Sequence, residues 1–146
     1  MADLEIRSDA FEHRGAIPPR YTCDAGNVSP PLSFAGAPEG TRSLALIVDD
    51  PDAPVGTFTH WLAWGIASDA PGLGEGQPAP HEGTNGFGTA GYAGPCPPHG
   101  RHRYFFRLHA LAAELDVEPG ADRDTLERAL EGHVLETAEL MGTYER

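Results

Sequence analysis

Leu44-Ala45-Leu46-Ile47-Val48-Asp49-Asp50-Pro51-Asp52-Ala53-Pro54 is an apolar run closed by three carboxylates and two prolines. Its apolar half has no polar face, the pattern of a strand covered on both sides. Trp61-Leu62-Ala63-Trp64-Gly65-Ile66-Ala67 reads the same way, so both stretches belong in the middle of a fold. Outward from this pair, strands are predicted over Ser43 to Val48, His60 to Ala67 and Arg103 to Ala112, with Gly and Pro punctuating the intervals. A helix is predicted to begin near Asp122 or Asp124, either of which can cap it. It carries Leu126, Ala129 and Leu130 at helical spacing and stops at Gly132. The tail from Val134 to Tyr144 fits a second helix, or a strand with Val134, Ala138, Leu140 and Tyr144 on one face.

At 146 residues the chain is read as one domain, 1–146, large enough to bury its own core. The formal charge of −12 and the lack of any Lys oppose binding to nucleic acid or an anionic membrane, both of which are held by Lys and Arg. No run approaches the ~20 apolar residues of a membrane span, and the amino terminus has no basic start or apolar signal core. A cytoplasmic protein without integral membrane association is expected. Cys23 and Cys96 lie far apart in sequence and are read as free thiols, since a cytosolic chain of this size needs no bridge.

Residues 68–100 form a long Gly- and Pro-rich stretch, and segments of that length inside a compact domain are usually functional or disordered. Within it Gly86-Phe87-Gly88-Thr89-Ala90-Gly91 spells GxGxxG, yet no strand precedes it and no helix follows, so it reads as a tight loop rather than a dinucleotide site. Phe87 and Tyr92 are candidates to pin this loop to the body. His99, His102 and Cys96 invite a metal reading, but no HxxxH or CxxC pairing is present, and neither metal nor cofactor is assigned. There is no GxSxG elbow, and no catalytic residue is assigned.

Candidate site residues come from three strand ends. Period 2 from His102 puts His102, Tyr104 and Phe106 on one face, with Arg103, Phe105 and Arg107 on the other. Asp50 ends the LALIV strand and His60 precedes WLAW. His60, His102, the Tyr104 hydroxyl and the Gly94 N–H make a compact donor set for a phosphate or carboxylate, with Asp50 as an acceptor that orients an imidazole. Pro51 and Pro54 stiffen the backbone between the carboxylates, and sequence leaves either X-Pro bond cis or trans. The remaining Asp side chains are read as turn caps.

On these residues the chain resembles the phosphatidylethanolamine-binding protein family, also called Raf kinase inhibitor protein-like, and its short bacterial and archaeal branch. The motifs are TCDAGNVSPPLSF at 22–34, DDPDAP at 49–54, HW at 60–61, GPCPPHGRHRYFF at 94–106 and LEGHVLETAELMGTYER at the end. The resemblance implies a mainly β fold of antiparallel sheets with Greek-key connections, one short helix near the C-terminus, and a strand for the tail. It implies an anion pocket built from Asp50, His60, Gly94, His102 and Tyr104. Bacterial relatives suggest a homodimer. The carboxyl-terminal extension that flanks the pocket of animal members has no counterpart before the chain stops at Arg146, so their kinase inhibition and lipid specificity are not carried over. The leading expectation is a binding module for a small phosphorylated or carboxylate ligand, regulatory or inhibitory in role. Two alternatives stand beside it: an inhibitor of a kinase or protease acting through protein contact, and a weak hydrolase using Asp50 and His60 as an acid-base pair.

Overall fold

The computed structural model describes residues 3–146. Its strands are β1 (Glu5–Arg7), β2 (Leu32–Ala35), β3 (Ser43–Asp50), β4 (Phe58–Ala67), β5 (Gly72–Leu73), β6 (His81–Glu82), β7 (Arg101–Leu111) and β8 (Val134–Glu145); the helix α1 spans Arg123–Leu130. A five-stranded sheet has the order β6-β4-β3-β7-β8 and a three-stranded sheet the order β1-β2-β5, with every pairing antiparallel. Within the larger sheet β3, β4 and β6 follow in sequence, and β7 returns by a long connection to lie beside β3. That is the Greek-key arrangement that the family resemblance implied.

β3 is buried at every position, as its apolar run requires. One face, with Leu44, Leu46 and Val48, joins the core between the sheets alongside Ile6, Phe34, Trp61, Tyr104 and Phe106. The other, with Ala45 and Ile47, packs with Leu62, Trp64 and Leu111 against Leu126 and Leu130 of α1. Asp122 caps that helix by accepting from the Thr125 N–H at 2.9 Å, which decides between the two candidate caps. The tail is a strand, paired with β7 along most of its length.

Two irregularities on β4 bear on the site. Opposite Ala45, between the pairs Leu44↔Ile66 and Leu46↔Ala63, an extra residue is accommodated by Gly65 at φ +69°. Opposite the step from Val48 to Asp49, β4 goes from Trp61 to Thr59, so His60 is the extra residue of a second bulge.

The free-thiol expectation is overturned. Cys23 and Cys96 form a disulfide, with Cα atoms 5.4 Å apart. Their separation of 73 residues carried no trace of this, because the loop after the Pro19–Tyr21 turn and the segment before β7 meet only in the folded chain. Among the described residues no peptide bond is cis, so both Pro51 and Pro54 follow trans bonds.

Candidate functional site

The three carboxylates after the LALIV run take three separate partners. Asp49, at the β3 end on the α1 side, meets Arg123 at 2.8 Å and Arg107 at 3.2 Å. Asp50, one residue later, faces the opposite side of the sheet, where its Oδ2 accepts from His102 Nδ1–H at 2.6 Å. Its Oδ1 accepts from the Asp52 N–H at 2.7 Å, a local turn that locks the carboxylate. Asp52 in turn accepts from the Arg103 backbone N–H at 2.9 Å and from the guanidinium through Nε at 2.9 Å and Nη2 at 2.8 Å. The Arg103 fork holds the Asp52 carboxyl down at about 2. Carboxylates adjacent in sequence thus each take a different partner.

Alternation along β7 places His102, Tyr104 and Phe106 inward, as the period predicted. His60 reaches the same side only through its bulge. Thr59 faces α1, where its hydroxyl accepts from Arg123, while the next two residues, His60 and Trp61, both face the inter-sheet side. A regular strand would send His60 and Trp61 to opposite faces.

Asp50, His60, His102 and Tyr104 line one cavity of about 190 Å³. The His60 and Tyr104 rings lie 5.3 Å apart and the His102 and Tyr104 rings 6.5 Å apart. His60 Nδ1–H donates to the Ala93 carbonyl at 2.6 Å; a carbonyl only accepts, so the proton of the neutral ring sits on Nδ1. The Nε2 atoms of both imidazoles make no hydrogen bond among the described residues. Burial pushes the His60 imidazole below its ordinary pKa, against the smaller opposing pull of the Ala93 carbonyl and of Asp50 and Asp49. The Tyr104 hydroxyl is fully buried and finds no partner among the described residues. Burial, with Asp50 and Asp52 nearby, raises its pKa, so it stays a neutral O–H.

Gly94 takes a different place. Its N–H donates to Asn27 Oδ1 at 2.8 Å, and it does not line the cavity. A Cβ there would lie 2.2 Å from the Tyr21 carbonyl and 2.7 Å from Asn27 Oδ1. Glycine therefore lets the segment that leads into the cavity wall at Cys96 to Pro98 pack against the loop at Tyr21 to Asn27, which the disulfide also clamps. Asp50 bonds His102 and the Asp52 N–H rather than His60.

Several lining residues were not among the candidate site residues: Val55, Phe58, Phe87, Pro97 and Pro98. The Gly86–Gly91 loop presents Phe87, whose ring meets Phe58 at 4.7 Å. Asn85 organises this loop, its Oδ1 accepting from the Phe87 N–H at 2.9 Å and its Nδ2 donating to the Gly91 carbonyl at 3.0 Å. Tyr92 pins the loop through its hydroxyl to the Tyr21 carbonyl at 2.7 Å, whereas Phe87 is 54% exposed at the cavity rim. His99 is exposed on the preceding loop, and among the described residues no group of three or more His, Cys, Asp or Glu is arranged to hold a metal. Among the described residues no helix is long and apolar enough to cross a membrane.

The chain belongs to the phosphatidylethanolamine-binding protein family, which it matches over residues 7–145. It is 51% identical to a UPF0098 protein of Methanothermobacter thermautotrophicus, over 98% of this chain and 99% of that one. With a UPF0098 protein of Pyrococcus horikoshii it shares 47% identity, over 95% of this chain and 75% of the relative. Among solved structures, a phosphatidylethanolamine-binding protein homolog from Chlamydia trachomatis superimposes with a TM-score of 0.96 at 39% identity, covering 100% of this chain and 99% of that one. YbcL of Escherichia coli, described as a member of the mammalian family, superimposes with a TM-score of 0.92 at 30% identity, covering 99% of each chain.

Proposed function

We propose that the cavity at Asp50, His60, His102 and Tyr104 binds a small oxyanion, either phosphate or the phosphate or carboxylate end of a larger ligand. The observation that carries this reading is the Tyr104 hydroxyl, buried without a partner among the described residues and flanked by two imidazoles whose Nδ1 atoms are bonded elsewhere. Buried polar groups are nearly always hydrogen-bonded, so an unpartnered hydroxyl in the wall of a cavity marks the place of a ligand. Asp50 orients His102, and a proton on that ring is balanced by the carboxylate. Gly94 serves the wall rather than donating to the ligand. The protein acts as a binding module, and its regulatory partners follow from what it binds.

The test is a titration with phosphorylethanolamine near pH 6.5, where an unperturbed imidazole is about half charged, followed by histidine side-chain NMR. Saturable shifts at His60 and His102, lost in His60→Ala and His102→Ala variants that remain folded, are expected. Unchanged affinity in both folded variants would sink the reading.

A further inference from the structure

The cavity is not a uniform set of donors. Tyr104 offers an O–H, and His102 offers Nε2–H whenever its ring is protonated, a state the Asp50 carboxylate at 2.6 Å compensates. His60 differs because its Nδ1–H is spent on a neutral carbonyl, leaving Nε2 as a lone pair in the neutral ring. The charged and titratable groups around it are Asp50 and Asp49 from β3, and His102 and Tyr104 from β7. Asp49 lies on the other face and is matched by Arg107 and Arg123, and Asp50 is matched by His102. The rings packed against His60 on its remaining sides, Phe58 at 5.0 Å and Phe87 at 6.1 Å, carry no charge. An imidazolium at His60 would therefore be buried without an anion of its own.

We infer that His60 Nε2 is an acceptor that makes the pocket selective for oxyanions carrying an exchangeable proton, so that phosphate monoesters are bound in preference to sulfate esters and phosphodiesters. This rests on the oxyanion reading above. A phosphate monoester has a second pKa of about 6, so about half of it at pH 6, and about a tenth at pH 7, carries a P–OH that donates to His60 while its other oxygens accept from Tyr104 and His102. Sulfate monoesters and phosphodiesters are anions without such a proton. For them two lone pairs face each other, or His60 must take a proton from solvent in a site where burial opposes its charge.

Methyl phosphate, methyl sulfate and dimethyl phosphate separate these cases with nearly the same bulk. Dissociation constants for the unmodified protein at pH 6, where about half of methyl phosphate carries the proton, are read from the histidine NMR signals and are expected to favour methyl phosphate by at least about fivefold, the worth of one hydrogen bond to a charged group less the share of dianion. Below about pH 6 methyl phosphate is already a monoanion and its affinity levels off. That of methyl sulfate keeps rising, by up to about tenfold per pH unit, as solvent supplies the proton to His60. Equal affinities for the three anions, with parallel pH dependences, overturn the selectivity and leave the oxyanion pocket standing. No binding of any of them overturns both.

Discussion

Replacing Tyr104 by Phe is expected to move stability and affinity in opposite directions. The side chain is 1% exposed and packs between the His60 and His102 rings, so the phenylalanine ring fills the same space and only the hydroxyl is lost. A buried polar group without a partner costs about 1–3 kcal/mol, and a hydroxyl bordering a cavity belongs at the low end of that range. The variant is therefore expected to be more stable by about 1 kcal/mol at most, a rise in Tm of about 3 °C for a chain of this length. Phosphorylethanolamine would lose a charge-assisted hydrogen bond of about 1.5–3 kcal/mol, weakening its Kd by roughly tenfold to a hundredfold. Thermal unfolding by circular dichroism and a ligand titration on the same sample measure both quantities. A variant destabilised by more than about 1 kcal/mol that binds as well as the parent would show that the hydroxyl has a structural partner, and would refute the reasoning.

The disulfide supports a further expectation. Closing a loop of 73 residues lowers the entropy of the unfolded chain by an amount worth about 4 kcal/mol, so reduction, or Cys23→Ser with Cys96→Ser, should lower Tm by about 10 °C. A drop of under about 3 °C would mean that the hydrogen bonds between these loops hold them without the bridge. A second expectation concerns acid. Burial lowers the folded pKa of His60, and burial followed by Arg107 lowers that of His109, so below the ordinary value of about 6.5 the unfolded chain binds more protons than the folded one. Stability is thus full above about pH 6.5 and falls as the pH drops from there, well before Asp52, held at about 2, begins to contribute its own loss. Tm measured from pH 8 to 5 should decline through this window, and a flat profile would contradict the burial of the two rings as neutral imidazoles.

Most of the frame of the site is legible along the chain because it depends on neighbours one or two residues away. The absence of a polar face in Leu44 to Val48 placed β3 at the centre, and alternation from His102 set the imidazole and the phenol on one face. Asp50 stands at the strand end where that reading put it, and Asp122 caps α1 by local hydrogen bonding. The two-residue strands β5 and β6, and the short β1 and β2, were not legible, because strands of this length exist only through the partners they pair with.

What only the tertiary structure decided depends on register and on long-range contact. His60 faces Tyr104 because of a bulge set by the pairing of β3 with β4, and a one-residue slip would turn it to the helix side. The assignment of Asp49 to Arg107 and Arg123, Asp50 to His102, and Asp52 to Arg103 joins residues about fifty or more positions apart, as does the bridge from Cys23 to Cys96. Gly94 shares this dependence: its sequence context suggested a donor, while the approach of the Tyr21 to Asn27 loop spends its N–H on Asn27. Local periodicity determines which face a side chain occupies. Which partner it meets there is decided when distant segments close upon one another, through distances that one sequence does not contain.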